Sequence, residues 1–152
     1  MNTIRLTKEF GFEAAHALWG YDGKCKNIHG HSYKLSVTII GQIKEQKGNP
    51  KDGMLIDFGD LKKIVYENII NKYDHAVVVS KNAPTEQISS IPEMFDSTII
   101  SNYQPTCENM LIDFAELISS KLPSNVKLHS LKLHETANSY GEWYAEDNLK
   151  NN

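Results

Sequence analysis

Arginine is nearly missing from this chain: Arg5 stands alone among sixteen basic residues. That excludes a phosphate clamp of forked guanidinium groups within one chain, so an anion site must lean on lysines, backbone amides or another subunit. Cysteine is almost as scarce. Cys25 and Cys107 lie in unrelated contexts, which excludes a disulfide framework and fits a reducing compartment with one functional thiol. No apolar stretch approaches a membrane span, and the N-terminal residues lack the apolar run of a secretory signal. Positive charge is not in excess either. Sixteen basic against nineteen acidic residues leave a net −3, so neither nucleic acid nor a membrane surface is an expected partner. These absences predict a cytoplasmic protein. With 152 residues, 40% of them hydrophobic, and no internal repeat, a single domain over 1–152 is expected.

What the chain does have is histidine in informative places. Residues 3–16 alternate: Ile4, Leu6, Phe10, Phe12, Ala14 and His16 share one parity, while Arg5, Thr7, Glu9 and Glu13 share the other. This is a half-buried strand. After a loop over 17–28 the alternation resumes over 29–41, with His29, His31, Tyr33, Leu35, Val37 and Ile39 on the apolar parity. Two long strands joined by a modest loop pair antiparallel, which brings His16 beside His29 and His31 at one end of one face. Three imidazoles there describe a metal site with a position left open for water or substrate, and zinc is the first expectation for a non-redox centre. Spacing leaves Cys25 with two readings. It is either the fourth ligand of a closed structural site or a thiolate beside an open one, acting as base or nucleophile.

The remainder predicts a loop over 44–53 and a helix over about 58–72, capped by Asp57 or Asp60. Asp74-His75 follows, a carboxylate beside an imidazole, the usual pairing for a proton relay near neutral pH. Short strands are allowed at 76–79 and 98–100, and the polar, turn-rich segment 80–104 receives no role. A second helix opens at Thr106, its N-cap, with Glu108 in the first turn and an apolar stripe of Met110, Leu111, Phe114, Leu117 and Ile118. A third strand over 126–135 changes phase near His129-Ser130, the mark of a bulge. It places Glu135 on the core parity with Leu131 and Leu133, where a carboxylate needs a partner or provides one for a ligand. A last strand is expected over 142–146. The ββααββ order predicts an α+β domain: a four-stranded antiparallel sheet with two helices on one face.

Six separated motifs occur in order: Phe12-Glu13-Ala14-Ala15-His16; Cys25 three residues before His29-Gly30-His31; Ile56-Asp57-Phe58; Asp74-His75; Pro105-Thr106-Cys107-Glu108-Asn109; and His134-Glu135-Thr136. Together they resemble the 6-pyruvoyltetrahydropterin synthase superfamily over about residues 4 to 146, and the short Cys25 to His29 gap is similar to its bacterial 6-carboxytetrahydropterin synthase branch, of queuosine biosynthesis. The resemblance implies a tunnelling fold (T-fold), a dimer of trimers and active sites between subunits. It implies a lyase that turns 7,8-dihydroneopterin triphosphate into 6-carboxytetrahydropterin, acetaldehyde and triphosphate. In that frame His16, His29 and His31 hold Zn2+, Cys25 is the general base, and His75 oriented by Asp74 moves the second proton. Glu135 takes the pterin 2-amino and ring N–H groups, and Thr106 and Glu108 line the pterin pocket. Lys24 and Lys26 are candidates for the triphosphate. Two departures stand out: the segment between His75 and Pro105 is longer than in compact bacterial members, and Cys107 stands where a serine is common. Two other outcomes stay open. One is the same fold stopping at 6-pyruvoyltetrahydropterin; the other is a non-catalytic structural zinc module with Cys25 as fourth ligand.

Overall fold

The computed structural model describes residues 2–148 other than 44, 85, 87, 89 and 96, with Pro92 described through its backbone only. The first two strands, β1 (Thr3–Ala17) and β2 (His29–Gln42), pair antiparallel over their whole length. Their register sets Phe12 opposite Tyr33, Ala14 opposite His31 and His16 opposite His29. The alternation in the sequence therefore survives as one apolar face, and the histidines end that face.

The sheet is larger than the four antiparallel strands expected. It has six, adding β3 (Ala76–Ser80), β4 (Thr98–Ser101), β5 (Val126–Thr136) and β6 (Ser139–Tyr144), in the spatial order β4-β3-β1-β2-β5-β6. It is also mixed: β3 runs parallel to β1, and β4 runs parallel to β3. The reason the pattern hid this is burial on both faces. All five residues of β3 are buried, so it reads as a continuous Val run rather than an alternation. Its second face is covered from within the 80–104 segment, where Ile88, Ile91 and Ala83 pack with Val77 and Val79 and with Ala15 and Ala17 of β1. That segment is thus a small second layer over one edge of the sheet. The last strand begins at Ser139 and closes at Tyr144, earlier than the 142–146 expected, because it hairpins directly back along β5. The bulge falls where the phase change put it: Thr38 faces Ser130 and Ile39 faces Leu128, leaving His129 as the extra residue.

Both helical segments cover the apolar face. Asp57 caps α1 (Phe58–Val65), accepting from the Gly59 N–H at 2.7 Å. The helix continues through a π-helical turn (Tyr66–Ile70) into a last α turn (Asn71–Tyr73). The apolar spacing explains the π turn. Leu61, Val65, Ile69 and Tyr73 are all buried and recur every fourth residue. In a regular α-helix that series drifts by roughly 120° around the axis over its length. One extra residue in a wide turn takes back about 100°, keeping all four side chains on the sheet.

The second helix, α2 (Cys107–Ser119), is capped by Thr106, whose hydroxyl accepts from the Asn109 N–H at 3.3 Å. Phe114 of α2 joins the two helices to the sheet. It is fully buried, with its ring edge-on to Tyr73 at 4.9 Å and to Phe12 at 6.3 Å. Phe114→Ala is expected to cost about 3–5 kcal/mol, read as a lower urea midpoint at unchanged slope. Among the described residues no helix is long and apolar enough to cross a membrane.

Candidate functional site

His16, His29 and His31 converge at the end of the β1–β2 ladder, with one ring nitrogen from each within 4.8 Å of the others. Backbone carbonyls fix two of the rings. His16 Nδ1 donates to the Pro105 carbonyl at 2.7 Å, and His29 Nδ1 donates to the Asn27 carbonyl at 2.8 Å. A carbonyl only accepts, so the proton of each neutral ring lies on Nδ1 and Nε2 carries a lone pair. Those two Nε2 atoms face each other at 3.0 Å. Two lone pairs at that distance repel unless a cation lies between them. His31 Nε2 is buried and has no hydrogen-bond partner. The donor set therefore fits a metal ion: three aligned imidazoles, two with their outer nitrogens held, and one buried lone pair that nothing else satisfies.

Burial holds His16 and His31 below the ordinary imidazole value, more than the nearby Glu135 carboxylate raises them, which keeps both in the ligating neutral form. The sign of the stability effect follows. Near an ordinary value of 6.5 the unfolded chain takes up protons that the folded chain does not. The metal-free protein is thus expected to lose stability as pH falls through that value toward the lower folded values. A lower urea midpoint at pH 5.5 than at pH 7.5 checks this.

Glu135 comes to the same place from β5. Its Oε1 lies 3.6 Å from His16 Nε2 and 3.8 Å from His31 Nε2. On its other side it lines a pocket of about 160 Å³ with Cys107, Glu108, Ser139, Tyr140 and Gly141. Gly141 is needed here: a Cβ would come 2.8 Å from the Leu111 side chain and 3.4 Å from Cys107 Sγ. Burial pushes the Cys107 thiol up to about 11, so it stays protonated at neutral pH. Thr106 spends its hydroxyl on the helix cap, at the edge of this region.

Cys25 sits half-buried on the short turn Lys24–Lys26, with its carbonyl accepting from the Leu18 N–H at 3.0 Å. It is not part of the histidine cluster. Asp74 and His75 lie elsewhere again. Asp74 accepts from the Glu13 N–H at 2.9 Å through one oxygen and pairs with His75 Nδ1 at 3.0 Å through the other. The Glu13 amide holds the Asp74 carboxyl below its usual range, with a smaller contribution from His75. His75 is the one non-glycine among the described residues at positive φ, +60°, pinned by its own N–H to the Glu13 carbonyl. Its ring is 80% exposed and walls a hollow with Glu13, Ala14, Ala15, Gly30, His31, Ser32 and Phe95. Ala14 and His31 lie on the parity of His16 and His29, and Glu13, Ala15, Gly30 and Ser32 on the other. His75 itself is not among the three clustered imidazoles. Phe95 brings the 80–104 segment into the same wall.

The sequence profile of the 6-pyruvoyl tetrahydropterin synthase family matches residues 5–146. The chain belongs to this family. It is 38% identical over 144 residues to the 6-carboxy-5,6,7,8-tetrahydropterin synthase of Haemophilus influenzae, a match covering 92% of this chain and 98% of that one. It is 32% identical over 143 residues to the enzyme of the same name from Rickettsia typhi, covering 91% and 99%. The solved 6-pyruvoyl tetrahydropterin synthase of Caenorhabditis elegans superposes with a TM-score of 0.66 at 25% identity, over 95% of this chain and 97% of that one. The T-fold expectation thus holds in its helices and its curved sheet, and fails in strand number and direction.

Several residues around this family site escaped the sequence reading. Tyr33, two positions after His31 on the same parity, lies with its hydroxyl 3.5 Å from His16 Nδ1, and burial drives its phenol far above the ordinary value. The Pro105 and Asn27 carbonyls have no sequence signature at all. A tie joins Tyr73, Tyr103 and Asp113: one carboxylate oxygen of Asp113 accepts from Tyr103 at 2.8 Å and from Tyr73 at 3.1 Å. It fastens the residue before Asp74 to the segment that supplies the Pro105 carbonyl.

Proposed function

We propose that the chain is a zinc-dependent lyase converting 7,8-dihydroneopterin triphosphate to 6-carboxy-5,6,7,8-tetrahydropterin, acetaldehyde and triphosphate, in queuosine (7-deazaguanine) biosynthesis in the cytoplasm. Family membership makes it an enzyme, and the names of the relatives from Haemophilus influenzae and Rickettsia typhi support the pterin chemistry. The observation that carries the reading is the three-imidazole cluster with its unpartnered His31 Nε2. Held by His16, His29 and His31, zinc supplies Lewis acidity toward the side-chain hydroxyls of the substrate.

The chain's own groups do the rest. Cys25 accepts a side-chain proton as the general base. His75, kept in orientation by Asp74 Oδ2, transfers the second proton. Glu135 receives the pterin 2-amino and ring N–H groups, a donor pair that one carboxylate matches in bidentate fashion. Glu108 and Thr106 border the ring, and Lys24 and Lys26 flank the triphosphate. A homo-oligomer, a dimer of trimers with active sites between subunits, reconciles these roles with an exposed His75 that stands outside the histidine cluster. The free edges at β4 and β6 also favour partner strands.

Incubating the zinc-loaded protein with 7,8-dihydroneopterin triphosphate and reading products by mass spectrometry tests the assignment. Acetaldehyde with 6-carboxytetrahydropterin is the expected result. 6-Pyruvoyltetrahydropterin without acetaldehyde moves the chain to the other branch, and no turnover overturns the substrate.

A further inference from the structure

We propose that Asp113 is a positioning residue for two separate parts of the site: through Tyr103 it holds the carbonyl that locks His16, and through Tyr73 it holds the Asp74–His75 pair. The functional roles it serves rest on the pterin reading. The linkage itself rests on distances.

Asp113 lies in the middle of α2, where aspartate is a poor helix former. Its partners explain its presence. Asp113 Oδ2 accepts from the Tyr103 hydroxyl at 2.8 Å and from the Tyr73 hydroxyl at 3.1 Å, and the two hydroxyls stand 3.2 Å apart. Hydrogen bonds to a carboxylate are about twice as strong as neutral ones. Burial pushes the Tyr73 phenol up to about 12 and raises the Tyr103 phenol as well, so both remain donors at neutral pH.

Each tyrosine stands next to a segment that needs an outside anchor. Tyr103 precedes Pro105 by two residues, in the irregular stretch between β4 and α2. Pro105 has no N–H of its own to fix it, yet its carbonyl takes the His16 Nδ1 proton at 2.7 Å. Neighbours hold the stretch instead. Ser101 Oγ donates to the Tyr103 carbonyl at 2.5 Å, Asn109 Nδ2 donates to the Gln104 carbonyl at 2.9 Å, and Asp113 fixes the far end of the Tyr103 ring. Tyr73 ends the last helical turn before Asp74, and His75 then takes φ +60°. A non-glycine residue in that region is strained and stays there only where its surroundings over-determine it. On the sheet side the His75 N–H donates to the Glu13 carbonyl at 2.6 Å, and the Glu13 N–H donates to Asp74 at 2.9 Å. On the helix side the anchor is Tyr73, fully buried, with its hydroxyl on Asp113. One carboxylate oxygen therefore sets the approach of the Pro105 carbonyl to His16 and the approach of Asp74 to Glu13.

The test compares the whole zinc-loaded protein with Tyr103→Phe, Tyr73→Phe, Asp113→Ala and Asp113→Asn, whose amide oxygen can still accept from both hydroxyls. Val126→Ala, in the core at the far end of β5, is the control for plain loss of stability. Thermal unfolding ranks the variants. Zinc affinity is read by chelator competition, and the Glu13 and His75 amides by hydrogen exchange at saturating zinc. The tie predicts a crossed pattern. Tyr103→Phe weakens zinc binding about threefold to tenfold and leaves both amides protected. Tyr73→Phe keeps the parent zinc affinity, speeds exchange at both amides about tenfold, and lowers kcat about tenfold at constant KM. Asp113→Ala shows both losses, Asp113→Asn recovers most of each, and Val126→Ala shows neither. Losses that follow the melting temperature in every variant, Val126→Ala included, overturn the proposal. Parent zinc affinity and parent exchange in Asp113→Ala overturn it too, as does an Asp113→Asn protein no better than Asp113→Ala. A crossed pattern with parent kcat in Tyr73→Phe overturns the proton-transfer half. Zinc affinity and exchange need no substrate, so the crossed pattern in a chain without turnover supports the tie and removes the pterin reading alone.

Discussion

Cys25→Ala is expected to keep its full complement of zinc and its thermal stability while losing product formation by about 10²–10⁴-fold, the range for removing a positioned general base. The position of the thiol decides this. Three histidines already converge without it, and Cys25 sits on a separate turn tied down through its backbone to Leu18. Removing a side chain that is no ligand leaves the metal in place. The structural-module alternative predicts the reverse: a four-ligand site losing one thiolate sheds metal and unfolds earlier, because metal binding and folding are coupled. Metal content by atomic spectroscopy, a melting curve and a product assay on one variant separate the two. A zinc-free, destabilised Cys25→Ala protein would end the case for Cys25 as base.

His75→Ala is expected to be as inactive as Cys25→Ala, yet co-expressing the two inactive chains should restore activity. Each site in the proposed assembly takes Cys25 and the metal from one subunit and His75 from another, so some sites in a mixed oligomer inherit both intact groups. Random assembly of equal amounts gives about one quarter of the sites such a pairing, hence about a quarter of the parent activity. His75 stands outside the cluster of His16, His29 and His31, and its ring, 80% exposed, is open to a neighbouring subunit. Differently tagged chains, purified through both tags, supply the mixed oligomers for a product assay. Mixed oligomers with no recovered activity would mean that one chain holds its whole site.

The sequence reading succeeded where one period governed a long element. The alternation of β1 and β2 was uninterrupted, so the antiparallel pairing and the meeting of His16 with His29 and His31 could both be read from parity. The His129 bulge was legible for the same reason, as a break in an otherwise clean phase. Short strands at 76–79 and 98–100 were legible too, but not their parallel pairing, since β3, buried throughout, has no phase to show how it faces its neighbours. The backbone conformation of His75 was hidden for a different reason: it stands at φ +60°, and a conformational sign is not written in a hydrophobic pattern. The carbonyls of Pro105 and Asn27 belong to the backbone, which every sequence carries alike.

The wide turn at Tyr66–Ile70 makes chain length itself a structural variable. Deleting any one of its five residues would leave composition almost untouched and would restore an ordinary helix, an apparent improvement by every local measure. By the same geometry it would leave everything downstream facing as before, because eleven regular steps bring Tyr73 to about 20° from Leu61, where the wide turn already holds it. Tyr73 would keep its contact with Phe114 and its reach to Asp113, and Asp74 would still meet the Glu13 amide. The damaging change is a substitution that regularises the turn at unchanged length, which rotates Asp74 and His75 by about 100° about the helix axis.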